Sequence, residues 1–476
     1  MNDAAVEILQ DLILRTPSAD FAARQQSWRE ELAAEYPAAA AERQDEIAEL
    51  LAENAIDLRS VLADWRLKCW KNHPHSDSCV VLREPELAAM SAANLALLHE
   101  WGRTDEALAA EAEITSLAES NLVRLTRMSF AGQTNVYWGN DYAAHLRPAM
   151  RRGAALVTTN PVLVNVARKE DPAHWTAVRD ALRAKYPNYS PVELGYALTI
   201  QVVVANAKLL RPIWELTNEQ YGYVSLQLSP ECATDAEKMI AEATWVWEQL
   251  TAELGGKPNT VFKVPGTKAG LEVAAALTSR GIGVNVTVMF ALAQQIAFAA
   301  VIEKNSTAPV SFRTQMDGRL DDPVGDEMQA AGVSDWEEVK KWCTTAIRQR
   351  EYRLLSKDPL AGGLGCFKSY PLPAAGRGVW NILRSIHNEP EVPLYITIFP
   401  DRQAQFDEEP REIDPQGMWA PLPAGYLDKL NQSQLFRQAF EPDGLRPEEF
   451  ESFLPSERTL AQFCASYREY LDWVAE

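Results

Sequence analysis

Residues 260–290, TVFKVPGTKAGLEVAAALTSRGIGVNVTVMF, limit the fold of this chain more than any other stretch. They read as strand, turn, helix, turn, strand, with polar residues held on both strands. Lys263 lies between Phe262 and Val264 in a β-branched and aromatic run, the pattern of a buried strand, where an ammonium group is costly unless it is paired or loses its proton. Asn285 and Thr287 stand two apart on the following strand, so both project from one face. The intervening helix of about ten residues is long enough for a right-handed parallel crossover. The stretch is one unit of an α/β fold.

The same alternation runs from Thr134 onward. Strands are expected at NVYWG near 136, ALVTTN near 157, GYVSLQLS near 225, TVFKVP near 262, VNVTV near 286, APVSFR near 311, GLGCFKS near 366 and PLYITIF near 396. Helical segments separate most of them. Eight strands with crossovers predict a (β/α)8 TIM barrel with long insertions over residues 129–476. A doubly wound open sheet is the alternative, but it lacks a GxGxxG fingerprint after the first strand, and no P-loop occurs.

Residues 1–128 read instead as an all-helical N-terminal extension, broken at Pro17, Pro37, Pro74 and Pro85. Its apolar spacing does not persist as heptads, which favours a packed helical region acting as a cap or an oligomerisation surface over a coiled coil. Across all 476 residues, 47% are apolar and 24% charged, the balance of a soluble globular protein. A net charge of −20 disfavours nucleic acid and anionic membranes as partners. No apolar run reaches membrane-spanning length. The six cysteines form no CxxC pair, which predicts a cytoplasmic setting. His73, His75 and Cys79 suit a polar loop better than a metal site, and no cofactor is expected.

Chemistry in such barrels sits at the carboxyl ends of the strands. The polar residues expected there are Asn140, Asp141, Thr158 to Asn160, Gln227, Lys263, Asn285, Thr287, Arg313 and Lys368. Arg313 and Lys368 suit a phosphate, leaving Lys263 as the spare amine. An amine desolvated among Phe, Val and Pro, with other cations nearby, loses its proton more readily, attacks a ketone and forms a Schiff base. Position alone leaves a second reading open, a lysine that snorkels to solvent.

These motifs resemble the transaldolase family: TTNP at 158–161, YVSLQLSP, FKVPGT, GIGVNVTVMF, APVSFR and GRLDD. The resemblance covers residues from about 134 onward. It implies the (β/α)8 fold and class I aldolase chemistry, with Lys263 as the Schiff-base lysine and Asn160 and Asn285 as substrate contacts. Thr287 would hold the catalytic water, and Arg313 would bind the sugar phosphate. Lys368 and Gln227 stand where transaldolases carry an arginine and a glutamate, and both resemble the fructose 6-phosphate aldolase branch.

The first strand departs further from the family pattern. A gap-free alignment from TTNP places Trp138 at the family's catalytic aspartate, as a side chain filling the pocket, and leaves Asn140 or Asp141 to compensate if a local bulge re-aims either side chain. By residue type alone, Trp138 suits a core aromatic and Gln227 a satisfied interior amide. Arg313 then suits an ion pair with Asp317 or Asp321, and Lys368 a solvated loop. The resemblance implies transfer or release of a dihydroxyacetone unit from a phosphorylated ketose, with a small sugar phosphate as the partner and a homo-oligomer as one permitted assembly. The alternatives are a divergent member using the lysine imine on another carbonyl compound, and a non-catalytic binding or assembly barrel.

Overall fold

The computed structural model describes residues 3–72 and 82–476. Eight parallel strands form one sheet: β1 (Val136–Asn140), β2 (Ala154–Thr158), β3 (Tyr223–Gln227), β4 (Thr260–Pro265), β5 (Val284–Met289), β6 (Phe312–Met316), β7 (Tyr370–Ala374) and β8 (Leu394–Ile398). From β1 to β7 each strand pairs with the next in sequence, and β1 also pairs with β8, giving the order β7-β6-β5-β4-β3-β2-β1-β8. This is the expected (β/α)8 barrel.

The ladder is interrupted only between β7 and β8, and two prolines account for the seam. Tyr370 N donates toward β6, to Ser311 O at 2.9 Å. Alternation therefore turns the amide positions of 371 and 373 toward β8, and both are proline, with no hydrogen to donate. The prolines also made β7 unreadable as a strand, so it was expected at 363–369 and forms at 370–374.

Inward-facing rings fill the barrel floor. Tyr137 packs against Tyr221 and Tyr395 in tilted ring contacts, with ring centres 4.8 and 5.6 Å apart, and Phe312 meets Tyr395 at 4.9 Å. The helices between Asp3 and Ala131 pack under this floor. Trp65 lies 5.2 Å from the Tyr221 ring, and the Lys68 ammonium sits 5.0 Å from the Tyr137 ring centre. Buried Asp57 on the helix Ala41–Arg59 accepts from Arg147 and Arg151, each at 2.7 Å, which fixes these helices to the barrel helix Leu146–Arg152. They lie at the end opposite the carboxyl ends of the strands.

At that other end, the C-terminal helix Leu454–Ala475 crosses the mouth. Asn165 Nδ2 donates to its Ser466 carbonyl at 2.6 Å, and Tyr470 hydroxyl donates to Gly195 O at 2.9 Å. Among the described residues, no helix is long and apolar enough to cross a membrane. His73, His75 and Cys79 lie outside the described residues.

Candidate active site

A cavity of about 310 Å3 opens at the carboxyl ends of the strands, and Lys263, Asp141, Asn160, Asn285 and Thr287 all line it. The alternation of β4 turns Lys263 inward while Phe262 faces the helix layer, where it meets Trp247. The lysine is 7% exposed and its Nζ donates to Thr159 O at 2.8 Å. Burial lowers its pKa, the charge of Asp141 opposes that shift, and Arg319 adds to it. The result is an amine poised to lose its proton.

Asp141 follows β1 directly. Its Oδ1 accepts from Thr158 Oγ1 at 2.5 Å, and its backbone N–H donates to Ile398 O at 3.2 Å. Burial raises its pKa, while Lys263, the Thr158 hydroxyl and Arg319 favour the carboxylate. The register of β1 on β2 shifts between Trp138 and Asn140, and this irregularity lies just before Asp141. Gly139 permits the close approach of the two strands there, because a Cβ would lie 2.7 Å from Leu156 O.

The other polar groups are held by their neighbours. Asn160 caps the helix Pro161–Glu170, accepting from Val162 N and Leu163 N at 3.1 Å each, so TTNP is an N-cap followed by proline at the first helical position. Asn285 donates to Ser225 Oγ at 3.0 Å and accepts from Thr314 Oγ1. Thr287 Oγ1 donates to Met316 Sδ at 3.8 Å. Val288 then adopts φ 57°, a conformation that β-branched residues rarely take. Gln294 brackets this turn: its amide accepts from Phe290 N and Ala291 N and donates to Gly266 O and Val288 O. The ends of β4 and β5 are thereby locked together, which sequence alone did not suggest.

Trp138, Arg313, Lys368 and Gln227 do not line this cavity, nor do Asn140 and Thr159. Trp138 faces outward from β1, is 1% exposed, and donates from Nε1 to Thr126 Oγ1 at 3.2 Å. It is a core aromatic and not a pocket filler, because 137, 139 and 141 are the inward positions. Arg313 was expected at the carboxyl end of β6, but β6 begins at Phe312, so Arg313 is its second residue and points outward. There it is fully buried against Glu351, Ser369 and Gln295. Lys368 precedes β7, is exposed, and donates to Ser306 O at 3.0 Å. Gln227 lines a separate cavity of about 30 Å3 with Tyr196 and Tyr467.

The cations at the mouth are instead Arg319, Arg377 and Arg402, which follow β6, β7 and β8. Arg319 lies in the GRLDD motif, so a correct end for β6 would have found it. It donates to Gln462 and sits 5.2 Å from the Phe463 ring centre. Burial lowers its pKa, and the nearby Arg377 charge lowers it further. Two guanidiniums that repel each other across a cavity suit an anion. Arg377 is itself held by Asp322 at 2.9 Å. Thr397 on β8 also lines the cavity and was missed. Among the described residues, no cluster of His, Cys, Asp and Glu suits a metal ion.

The family model described as Transaldolase/Fructose-6-phosphate aldolase matches residues 146–345. The chain is 34% identical over 163 residues to "Transaldolase" of Thermobifida fusca (strain YX), covering 33% of this chain and 42% of that protein. It is 29% identical over 218 residues to "Transaldolase" of Neisseria meningitidis serogroup C (strain 053442), covering 41% and 60%. It is 29% identical over 199 residues to "Transaldolase 2" of Nostoc sp. (strain PCC 7120 / SAG 25.82 / UTEX 2576), covering 39% and 50%. The chain thus spans between half and three fifths of the length of the Nostoc and Neisseria proteins. The family match runs from β2 through β6 and includes Lys263, Asn160, Asn285, Thr287 and Arg319, while Asp141, Arg377 and Thr397 fall outside it. Through this barrel segment, the chain is similar to the transaldolase/fructose-6-phosphate aldolase family.

Proposed function

We propose that the protein is a class I, Schiff-base enzyme that moves or releases a dihydroxyacetone unit from a phosphorylated ketose. The observation that carries this reading is the pairing of a desolvated amine, Lys263, with a buried carboxylate, Asp141, in one cavity edged by arginines. Neutral Lys263 attacks the C2 carbonyl, and loss of water leaves an imine. Asp141 takes the C4 hydroxyl proton as the C3–C4 bond breaks, and the bonding electrons pass into the imine to give an enamine. Addition of the enamine to an acceptor aldehyde, with the proton returned by Asp141, gives a new imine, and its hydrolysis releases the product ketose and restores Lys263. Protonation of the enamine and hydrolysis would instead release dihydroxyacetone. Asn160 and Asn285 orient the substrate, and Thr287, which lines the same cavity, holds the catalytic water. Arg319 and Arg377 take the phosphate role expected of Arg313 and Lys368. Unpaired Cys232, Cys343, Cys366 and Cys464 and a phosphorylated substrate fit a cytoplasmic enzyme.

The test is an exchange assay with fructose 6-phosphate, with and without erythrose 4-phosphate. Glyceraldehyde 3-phosphate formed only with the acceptor identifies a transferase, and formation without it identifies an aldolase. No product in either arm, nor with other phosphorylated ketoses, contradicts the reading.

A further inference from the structure

We propose that Thr397 on β8 is a positioning residue for proton transfer, its hydroxyl holding a water against Asp141 in a side cavity behind the catalytic one. The inference rests on the reading of Lys263 and Asp141 above and deepens it. Inward positions on β8 are Tyr395, which joins the floor, and Thr397, which lies above it. Thr397 is 5% exposed, and its Oγ1 has no hydrogen-bond partner among the described residues. Leaving a buried hydroxyl unpaired is costly, and valine would fill the same volume without that cost.

The surroundings supply the missing partner's place. A side cavity of about 40 Å3 is lined by Asp141, Thr397, Asn381, Asp317 and Arg402 among others. It has room for one or two waters, each needing roughly 10–15 Å3 and two to four polar partners. Register ties the two residues together: Gly139 pairs with Thr397, and Asp141 N donates to Ile398 O. Thr158 occupies Oδ1 of Asp141, and no protein donor among the described residues reaches Oδ2. A water accepting from or donating to Thr397 can donate its own hydrogen to Oδ2. That bond stabilises the carboxylate and aims it at the C4 hydroxyl. Thr287 is turned to Met316 and Gln227 occupies a separate cavity, so the β8 side offers a route to Asp141 that those residues do not.

The experiment compares wild type, Thr397→Val and Thr397→Ser by kcat and KM against pH, with borohydride trapping of the lysine adduct as a control. For Thr397→Val we expect trapping at Lys263 to persist, kcat to fall roughly tenfold to a hundredfold and KM to change little. The acidic limb of the kcat profile moves to higher pH, because the carboxylate has lost a donor. Thr397→Ser restores both kcat and the acidic limb. An unchanged profile in Thr397→Val, or a serine variant as impaired as the valine variant, overturns the proposal. Wild type that neither traps nor turns over phosphorylated ketoses contradicts the Schiff-base reading itself, a separate outcome.

Discussion

Lys263 on β4 and Asp141 at the end of β1 line one cavity, and each favours the charged form of the other against burial that disfavours both. Arg319 favours charge on Asp141 and opposes it on Lys263. Amine, acid and anion site are therefore coupled, and substitutions at one should be read at the others.

The coupling has a sign that pH can reveal. Asp141→Asn removes the charge that holds the Lys263 pKa up, so the midpoint of adduct formation with pH shifts downward. Arg319→Met removes a charge that pushes it down, so the midpoint shifts upward. Both lie below the ordinary lysine value of 10.5. Initial rates of borohydride trapping between pH 6 and 10 measure the two shifts, and shifts in the same direction contradict the coupling.

Asp141→Asn also separates binding from bond cleavage. Loss of a general acid/base costs about a hundredfold to ten-thousandfold in turnover, while imine formation at Lys263 persists. Steady-state kcat read beside the trapped adduct checks this. Retention of full turnover would mean that another group carries the proton.

Arg319 and Arg313 should behave differently on substitution. Arg319→Met raises KM for fructose 6-phosphate roughly tenfold to a hundredfold, the effect of about 1.5–3 kcal/mol from a charged hydrogen bond, and leaves the KM for unphosphorylated fructose unchanged. Arg313→Met leaves buried Glu351 without its ion-pair partner and costs about 3–5 kcal/mol of stability. Paired measurements of KM and Tm distinguish them.

His387 makes stability fall with acid. Its Nδ1 accepts from Glu389 N at 3.2 Å, which requires the neutral ring, and burial, helped by the Lys357 charge, lowers its pKa from 6.5 to about 3. The unfolded chain thus binds a proton that the folded chain refuses between those values. Stability declines as pH falls below 6.5, by about 1.4 kcal/mol per pH unit at most. Chemical denaturation at pH 7 and pH 4.5 should differ by up to about 3 kcal/mol, and His387→Phe should reduce the difference.

Much of the barrel was legible because β-branched runs alternate with helices, and FKVPGT with GIGVNVT places an amine and two polar groups on adjacent strands. The two phosphate-site errors share one cause. Pro371 and Pro373 hid β7, and the boundary of β6 was set at Arg313 three residues too early. Strand parity then turned Arg313 outward and left Lys368 at the wrong end. Trp138 was misjudged because a gap-free alignment has no place for the register shift between Trp138 and Asn140. Thr397 carries no local signal at all, since its significance comes from an unpaired hydroxyl and a cavity assembled by three strands.

Every proposed step depends on imine formation at Lys263. Incubation with fructose 6-phosphate, reduction with borohydride and peptide mass spectrometry measure it directly, with Lys263→Met as the control. One carbohydrate-derived adduct is expected on the peptide containing Lys263, absent from the Lys263→Met protein. An adduct on a different lysine, or none with any phosphorylated ketose while the protein remains folded, would contradict it.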